Sequence, residues 1–115
     1  MSKQERIQPR KLKGFRDLLP HQARLKKSIT DIIWKNAALA GFEGIETPAL
    51  EYAETLLGTG EETDKEVYRF QDQGDRSVAL RFDLTVPFAR YVVENYSELV
   101  FPFKKVQIGN SWRGE

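Results

Sequence analysis

The chain has 115 residues, 40% hydrophobic and 30% charged, with a formal net charge of +1. That is the composition of one soluble globular domain, and the near-neutral balance gives no whole-molecule reason to expect a polyanion partner. The absence of cysteine excludes a disulfide framework, a thiolate metal site and a catalytic thiol, and the single histidine excludes a multi-histidine metal site. No stretch approaches the roughly 20 apolar residues of a membrane span. The basic N-terminus has no apolar run behind it, so no secretory signal is expected and a cytoplasmic location is the default.

Charge is unevenly spread. Nine of the 18 Lys and Arg lie in the first 27 residues: Lys3, Arg6, Arg10, Lys11, Lys13, Arg16, Arg24, Lys26 and Lys27. From Glu43 to Glu66 the sign reverses. A basic arm suits a phosphate backbone, and it equally suits a solvated tail and helix face.

Residues 1–13 lack apolar periodicity and read as a loose basic arm. Gly14 to Pro20 is a compact, turn-rich stretch, and Pro20 stands where helices begin. From His21 to Ala40, Leu25, Ile29, Ile32, Ile33, Ala37 and Ala40 recur at helical spacing, and Gly41 ends the helix. Phe42 to Thr47 reads as a short strand closing on Pro48, because the residue before a proline is pushed toward extended geometry. Ala49 to Leu57 is ambiguous, with a short helix one option. Gly58-Thr59-Gly60 breaks it, and a mobile acidic loop is expected to follow.

Val67 to Phe70 and Ser77 to Phe82 predict a hairpin, with turn residues at Asp72-Gln73-Gly74-Asp75. Leu84 to Tyr96 predicts a second helix that buries Val86, Ala89 and Val93, with Val92 a further candidate and Pro87 tolerated in its first turn. Phe103 to Arg113 alternates as a strand, with Val106, Ile108 and Trp112 on one face and Gln107, Gly109, Ser111 and Arg113 on the other. The earlier strand places Ala79, Arg81 and Asp83 on one face. Were the two strands neighbours, two arginines and an aspartate would look onto a shallow floor. Such a floor suits a small anionic or zwitterionic ligand, and it equally suits a solvent-exposed sheet face with a salt bridge.

Four segments carry a family resemblance. Gly14-Phe15-Arg16-Asp17-Leu18-Leu19-Pro20 resembles the N-terminal signature of histidyl-tRNA synthetases. The helix running into Gly41-Phe42-Glu43-Gly44-Ile45-Glu46-Thr47-Pro48 resembles motif 1 of the class II synthetases. Leu80 to Tyr91 resembles the histidine-binding segment of one branch, and Trp112-Arg113-Gly114-Glu115 matches the Arg-x-Glu that opens motif 2. Together they cover nearly the whole chain in order: an arm at 1–13, then the N-terminal part of a class II catalytic domain at 14–115. Within it, motif 1 spans about 21–48, the histidine segment 80–91 and the start of motif 2 about 103–115.

The resemblance implies an α+β fold, an antiparallel sheet flanked by helices, present as an incomplete N-terminal portion. It implies ATP-dependent ligation of L-histidine to tRNA(His) through a histidyl-adenylate. ATP, with Mg2+, is a substrate, and no tightly bound cofactor is expected. Arg113 matches the motif 2 arginine that binds the α-phosphate and the substrate carboxylate, and is the expected catalytic residue. Asp83 and Thr85 match the pair that holds the histidine, although Asp83 also stands where a helix cap belongs. Glu115 matches the motif 2 glutamate near the nucleotide, Arg81 is a candidate supporting ion-pair partner for Asp83, and Pro48 is expected at a homodimer interface built on motif 1. No membrane partner is expected.

Many bacterial relatives carry Arg-Pro-Glu-Gly-Thr where this chain has Arg81-Phe82-Asp83-Leu84-Thr85. A paralogue with a similar Asp-x-Thr segment, the regulatory subunit of ATP phosphoribosyltransferase in histidine biosynthesis, binds histidine without charging tRNA. Phe82 and the Val86-Pro87-Phe88 run favour the synthetase. The rest of motif 2, motif 3 and an anticodon-binding domain are expected beyond Glu115, so the activity belongs to a longer protein and this chain alone is expected to be inactive.

Overall fold

The computed structural model describes residues 5–58 and 66–114. The acidic loop expected after Gly60 and the motif 2 residue Glu115 lie outside the described residues. Helix α1, Pro20–Leu39, begins at a proline whose missing N–H costs nothing there, and Gln22 Oε1 accepts the Leu19 N–H at 2.9 Å. It ends where Gly41 adopts φ +85° and Phe42 N–H donates to the Ala37 carbonyl at 2.9 Å, the left-handed stop that glycine makes without strain.

Strand β1, Glu43–Gly44, is shorter than the strand expected from Phe42 to Thr47. The ambiguous segment resolves into strand β2, Leu50–Tyr52, and helix α2, Ala53–Leu57. The expected hairpin forms as β3, Arg69–Gln71, and β4, Ser77–Leu80. Asp72 closes it: Oδ1 accepts the N–H groups of Gly74 and Arg76 at 3.0 and 2.9 Å, Oδ2 accepts Arg76 Nε at 2.8 Å, and Asp75 takes φ +64°. A loop whose last residue is left-handed is a common hairpin solution, and aspartate tolerates that conformation better than most residues.

Strand β4 is the centre of an antiparallel sheet of order β2-β4-β3, with Glu51 opposite Ala79 and Ala79 opposite Arg69. Helix α3, Thr85–Glu94, follows, then a 3-10 turn, Tyr96–Glu98, and strand β5, Lys105–Val106. β5 pairs with β1 in parallel, Glu43 against Lys105 and Gly44 against Val106. Only these two residues of the expected Phe103 to Arg113 strand form a regular ladder. The backbone beyond still bonds to the sheet, Trp112 N–H to the Arg81 carbonyl at 2.9 Å, beside Arg81 N–H to the Ala49 carbonyl at 3.0 Å. The two strand segments are therefore neighbours where Arg81 meets Trp112.

The core lies under this sheet. Ala53, Leu56 and Ala79 are buried together, with Leu57, Val67, Phe82 and Val86 packed against them. The expected burial of α3 is corrected: Pro87 is its fully buried residue and Val86 is half-buried, whereas Ala89 is exposed and Val93 is 78% exposed. The helix is instead oriented by Arg90, whose Nε meets both oxygens of buried Glu51 at 3.0 and 3.2 Å. Val93 lies on nearly the same face as Val86, seven residues on, and is exposed because it stands about two turns further along the helix, past the core that Val86 packs against.

Helix α1 contrasts with the core. None of its residues is buried; Leu25 is 62% exposed and Ile32 60%. It joins the body at its C-terminal end, where the Trp34 ring fills the space that a Cβ on Gly44 would take. The radius of gyration is 18.6 Å, against roughly 13 Å for a compact domain of this length. The accessible surface is 9980 Å², against roughly 6500 Å² for a compact monomer of this mass.

Candidate functional site

The sequence-predicted residues converge at the loop between β4 and α3. Asp83 Oδ1 accepts the N–H groups of Thr85 and Val86, at 3.2 and 3.4 Å, so the carboxylate caps α3. One oxygen is thereby fixed against the helix N-terminus, and among the described residues Oδ2 has no hydrogen-bond partner. Thr85, the first residue of α3, is exposed. Arg113 reaches this loop from the segment after β5 and donates through Nε to the Phe82 carbonyl at 3.2 Å. A single peptide unit thus links the cation to the carboxylate-bearing residue. Arg113 is exposed, and among the described residues its Nη groups have no protein acceptor, which leaves the paired face of the guanidinium for a ligand.

Arg81 has a different role from the expected one. It is 7% exposed and makes no ion pair with Asp83. Its Nε donates to the Asn110 carbonyl at 2.7 Å and its Nη1 to the Thr47 carbonyl at 2.8 Å, with longer contacts to Thr47 Oγ1 at 3.3 Å and the Pro48 carbonyl at 3.4 Å. It staples Thr47 and Pro48 to the segment that carries Arg113. The small residue expected to leave room for a ligand, Gly109, makes room for this guanidinium: a Cβ there would lie 2.6 Å from Arg81 Nη2. Gln107, from the same supposedly open face, donates to Thr47 Oγ1 at 2.8 Å. Pro48 is exposed, in keeping with a surface position, and its carbonyl belongs to the Arg81 staple.

Beside Arg113 lies a cleft of about 500 Å³, walled by Lys13 to Arg16, Tyr68 and Asn110 to Arg113. The turn at Lys13-Gly14 closes through Phe15 N–H to the Leu12 carbonyl at 3.0 Å, with Gly14 at φ +87°. Phe15 stands edge-on to Tyr68, ring centroids 6.2 Å apart. The turn-rich stretch that follows the arm therefore touches the hairpin through Phe15. The alternation of Tyr68 with Phe70 in the stretch Val67 to Phe70 was the available signal for Tyr68. Among the described residues no three His, Asp or Glu side chains are grouped to hold a metal ion.

The histidyl-tRNA synthetase family model matches residues 14–113. The chain belongs to the histidyl-tRNA synthetase family. The histidine–tRNA ligase of Treponema denticola is 53% identical over 110 residues, covering 95% of this chain and 25% of the relative. The crystal structure of histidyl-tRNA synthetase from Nostoc sp. PCC 7120 superposes with TM-score 0.83 at 36% identity, over 92% of this chain and 25% of that one. A Bacillus halodurans protein described as an ATP phosphoribosyltransferase regulatory subunit/histidyl-tRNA synthetase superposes with TM-score 0.82 at 32% identity, over 95% of this chain and 29% of that one. The chain spans about a quarter of the length of the curated relatives it matches. Its mixed helix and antiparallel-sheet architecture is that of the histidyl-tRNA synthetase fold expected from motifs 1 and 2. No helix among the described residues is long and apolar enough to cross a membrane.

Proposed function

We propose that this chain is the part of a cytoplasmic histidine–tRNA ligase that holds histidine against the α-phosphate of ATP, the full-length protein forming histidyl-adenylate and then charging tRNA(His). The observation that carries this reading is the docking of Arg113 on the Phe82 carbonyl, one residue from the capped carboxylate of Asp83. Histidine presents an ammonium and a carboxylate on one carbon. Asp83 takes the ammonium through the oxygen not used by the cap, and the Thr85 hydroxyl adds a directional hydrogen bond. Arg113 spans the histidine carboxylate and the α-phosphate with its two Nη groups. The carboxylate oxygen attacks phosphorus in line, the bond to the bridging oxygen breaks, and pyrophosphate leaves with its electron pair. Mg2+ accompanies ATP as part of that substrate, and Glu115 is assigned to the nucleotide. The protein's contribution is alignment and charge stabilisation.

A homodimer belongs to the same proposal. The exposed apolar stripe of α1 supports a covering second copy around motif 1 and Pro48. Sedimentation of the full-length protein at micromolar concentration tests it, and a monomer there refutes it. Histidine-dependent exchange between pyrophosphate and ATP, measured on the full-length protein, tests the reaction. The Bacillus halodurans neighbour supports a second reading, a histidine-binding regulatory subunit without tRNA charging. Histidine binding with no exchange would favour that reading.

A further inference from the structure

The cap ties the Asp83 carboxylate to the N–H groups of Thr85 and Val86, so Asp83 and Thr85 move with helix α3. Whatever fixes α3 therefore fixes both groups assigned to histidine. Two kinds of contact hold the helix. At its first turn Val86 packs on the core and Pro87 is fully buried. One turn later Arg90 Nε donates to both carboxylate oxygens of Glu51, at 3.0 and 3.2 Å. Apolar packing is non-directional and leaves a helix free to tilt or slide, whereas a donor shared between two carboxylate oxygens sets direction as well as distance. Glu51 is itself firmly placed. It is the middle residue of β2, opposite the wholly buried Ala79 on the central strand.

From this arrangement we infer that Arg90 and Glu51 are positioning residues for the histidine site, acting through the tilt of α3. The inference rests on the reading in which Asp83 and Thr85 hold histidine. A buried ion pair adds little net stability over apolar side chains of the same volume, so its distinctive contribution is geometry. The lever is short. Arg90 stands five residues after Thr85, about 7–8 Å along the helix axis, and a tilt of roughly 8° moves Thr85 by about 1 Å. A displacement of about 1 Å is enough to cost a positioned group most of its effect. Glu94 accepts from Arg90 Nη1 at 3.3 Å, but its side chain is largely exposed, and it adds little to the fixing of α3. The phosphate side of the site does not hang on this helix: Arg113 is seated on the Phe82 carbonyl, and Arg81 ties its segment to Thr47. The pair therefore acts on histidine and not on ATP.

The experiment uses the full-length protein as wild type, as Arg90→Met and as Arg90→Met combined with Glu51→Leu. Histidine and ATP affinities are measured by equilibrium dialysis, the two KM values by pyrophosphate exchange, and melting temperature by circular dichroism. Arg90→Met strands a buried carboxylate, so stability and histidine affinity fall together. In the double variant apolar side chains replace the pair and the melting temperature returns toward wild type. Histidine affinity stays about tenfold down, with a matching rise in its KM, while ATP affinity stays within about twofold. A pair that merely held the fold together would restore stability and affinity alike. Arg90→Lys, which keeps a charge against Glu51, recovers part of the affinity, and Glu94→Gln leaves both affinities at wild type. A stable double variant that binds histidine within about twofold of wild type overturns the inference, as does an equal loss for histidine and ATP. Should the double variant unfold, Glu51→Gln, which keeps the shape and one acceptor for Arg90, decides between the same outcomes. Asp83→Asn separates the inference from the reading beneath it. If that variant binds histidine as wild type does, the histidine assignment falls and the inference with it; if it loses histidine while the pair variants do not, the inference alone falls.

Discussion

Replacing Arg81 by methionine keeps the length of the side chain and removes every donor. Two short bonds disappear, to the carbonyls of Asn110 at 2.7 Å and Thr47 at 2.8 Å, and two longer contacts go with them. A hydrogen bond from a charged donor is worth about 1.5–3 kcal/mol, which bounds the loss near 3–6 kcal/mol. Two terms reduce it. A buried guanidinium with no carboxylate partner no longer has to be desolvated, and the exposed Asn110 can offer its carbonyl to water. The expected net destabilisation is about 2–3 kcal/mol, or roughly 5–10 °C in melting temperature. Because the staple sets the segment carrying Arg113, adenylate formation should also fall by about tenfold or more.

Gly109→Ala gives the complementary perturbation. Its new methyl group collides with a guanidinium held by several carbonyls, so it destabilises too, by about 1–3 kcal/mol. In the double variant the methyl group meets a flexible thioether instead. The two penalties should then fall short of additive by about 1 kcal/mol or more. The assay is thermal and urea denaturation of the four full-length proteins, with single-turnover adenylate formation alongside. An Arg81→Met protein that melts within a degree of wild type, or a strictly additive cycle, would refute the staple.

Arg113→Lys should leave the circular dichroism spectrum intact and lower pre-steady-state adenylate formation by about 10²–10³, because a point charge cannot span two acceptors as a planar fork does; a rate within a few-fold of wild type contradicts the assignment. Asp83→Asn retains an oxygen for the α3 cap but loses the charge, and should weaken histidine binding by about 2–5 kcal/mol while leaving ATP binding nearly unchanged; calorimetry showing equal losses would make Asp83 a cap only. Gly44→Ala drives a methyl group into the Trp34 ring and should destabilise by about 1–3 kcal/mol, with tryptophan fluorescence altered before any change in the β3–β4 hairpin. Arg76, through its backbone N–H foremost and then its side chain, holds the Asp72 carboxyl below the usual carboxylate range. Its contribution is therefore complete above the ordinary value and is lost as pH falls through the lower folded value, so Asp72→Asn should flatten the acid limb of a stability–pH curve and leave the slope near neutral pH unchanged.

The local geometry was legible in the sequence. Asp83 and Thr85 sit at a helix start, where capping chemistry and ligand chemistry demand the same residue types, and the hairpin announced itself through Asp72-Gln73-Gly74-Asp75. The role of Arg81 was not legible. Alternation along a strand places a side chain on a face, but its acceptors come from Thr47 and Asn110, and no local pattern specifies backbone carbonyls brought in from elsewhere. The burial of α3 was misjudged for a related reason. Helical periodicity marks Val86, Ala89 and Val93 as one apolar set, but it does not say how far along the helix the core extends, and the core packs against Val86 and stops short of Val93. The expected final strand was cut to Lys105–Val106 because a parallel partner was available only at Glu43 and Gly44.

That parallel pairing also has a temporal meaning. Strand β5 lies about sixty residues after β1, and a chain made at about 5–20 residues per second presents β1 several seconds before its partner exists. During that interval α1 has been synthesised with its apolar stripe uncovered, and the Trp34 contact that joins it to Gly44 rests on an unpaired strand. The hairpin and α2, whose contacts are closer in sequence, can settle first on the ribosome. Helix α1 and β1 would thus be assembled backwards, the strand waiting for β5 to arrive, with the nascent α1 exposed to chaperones until it does.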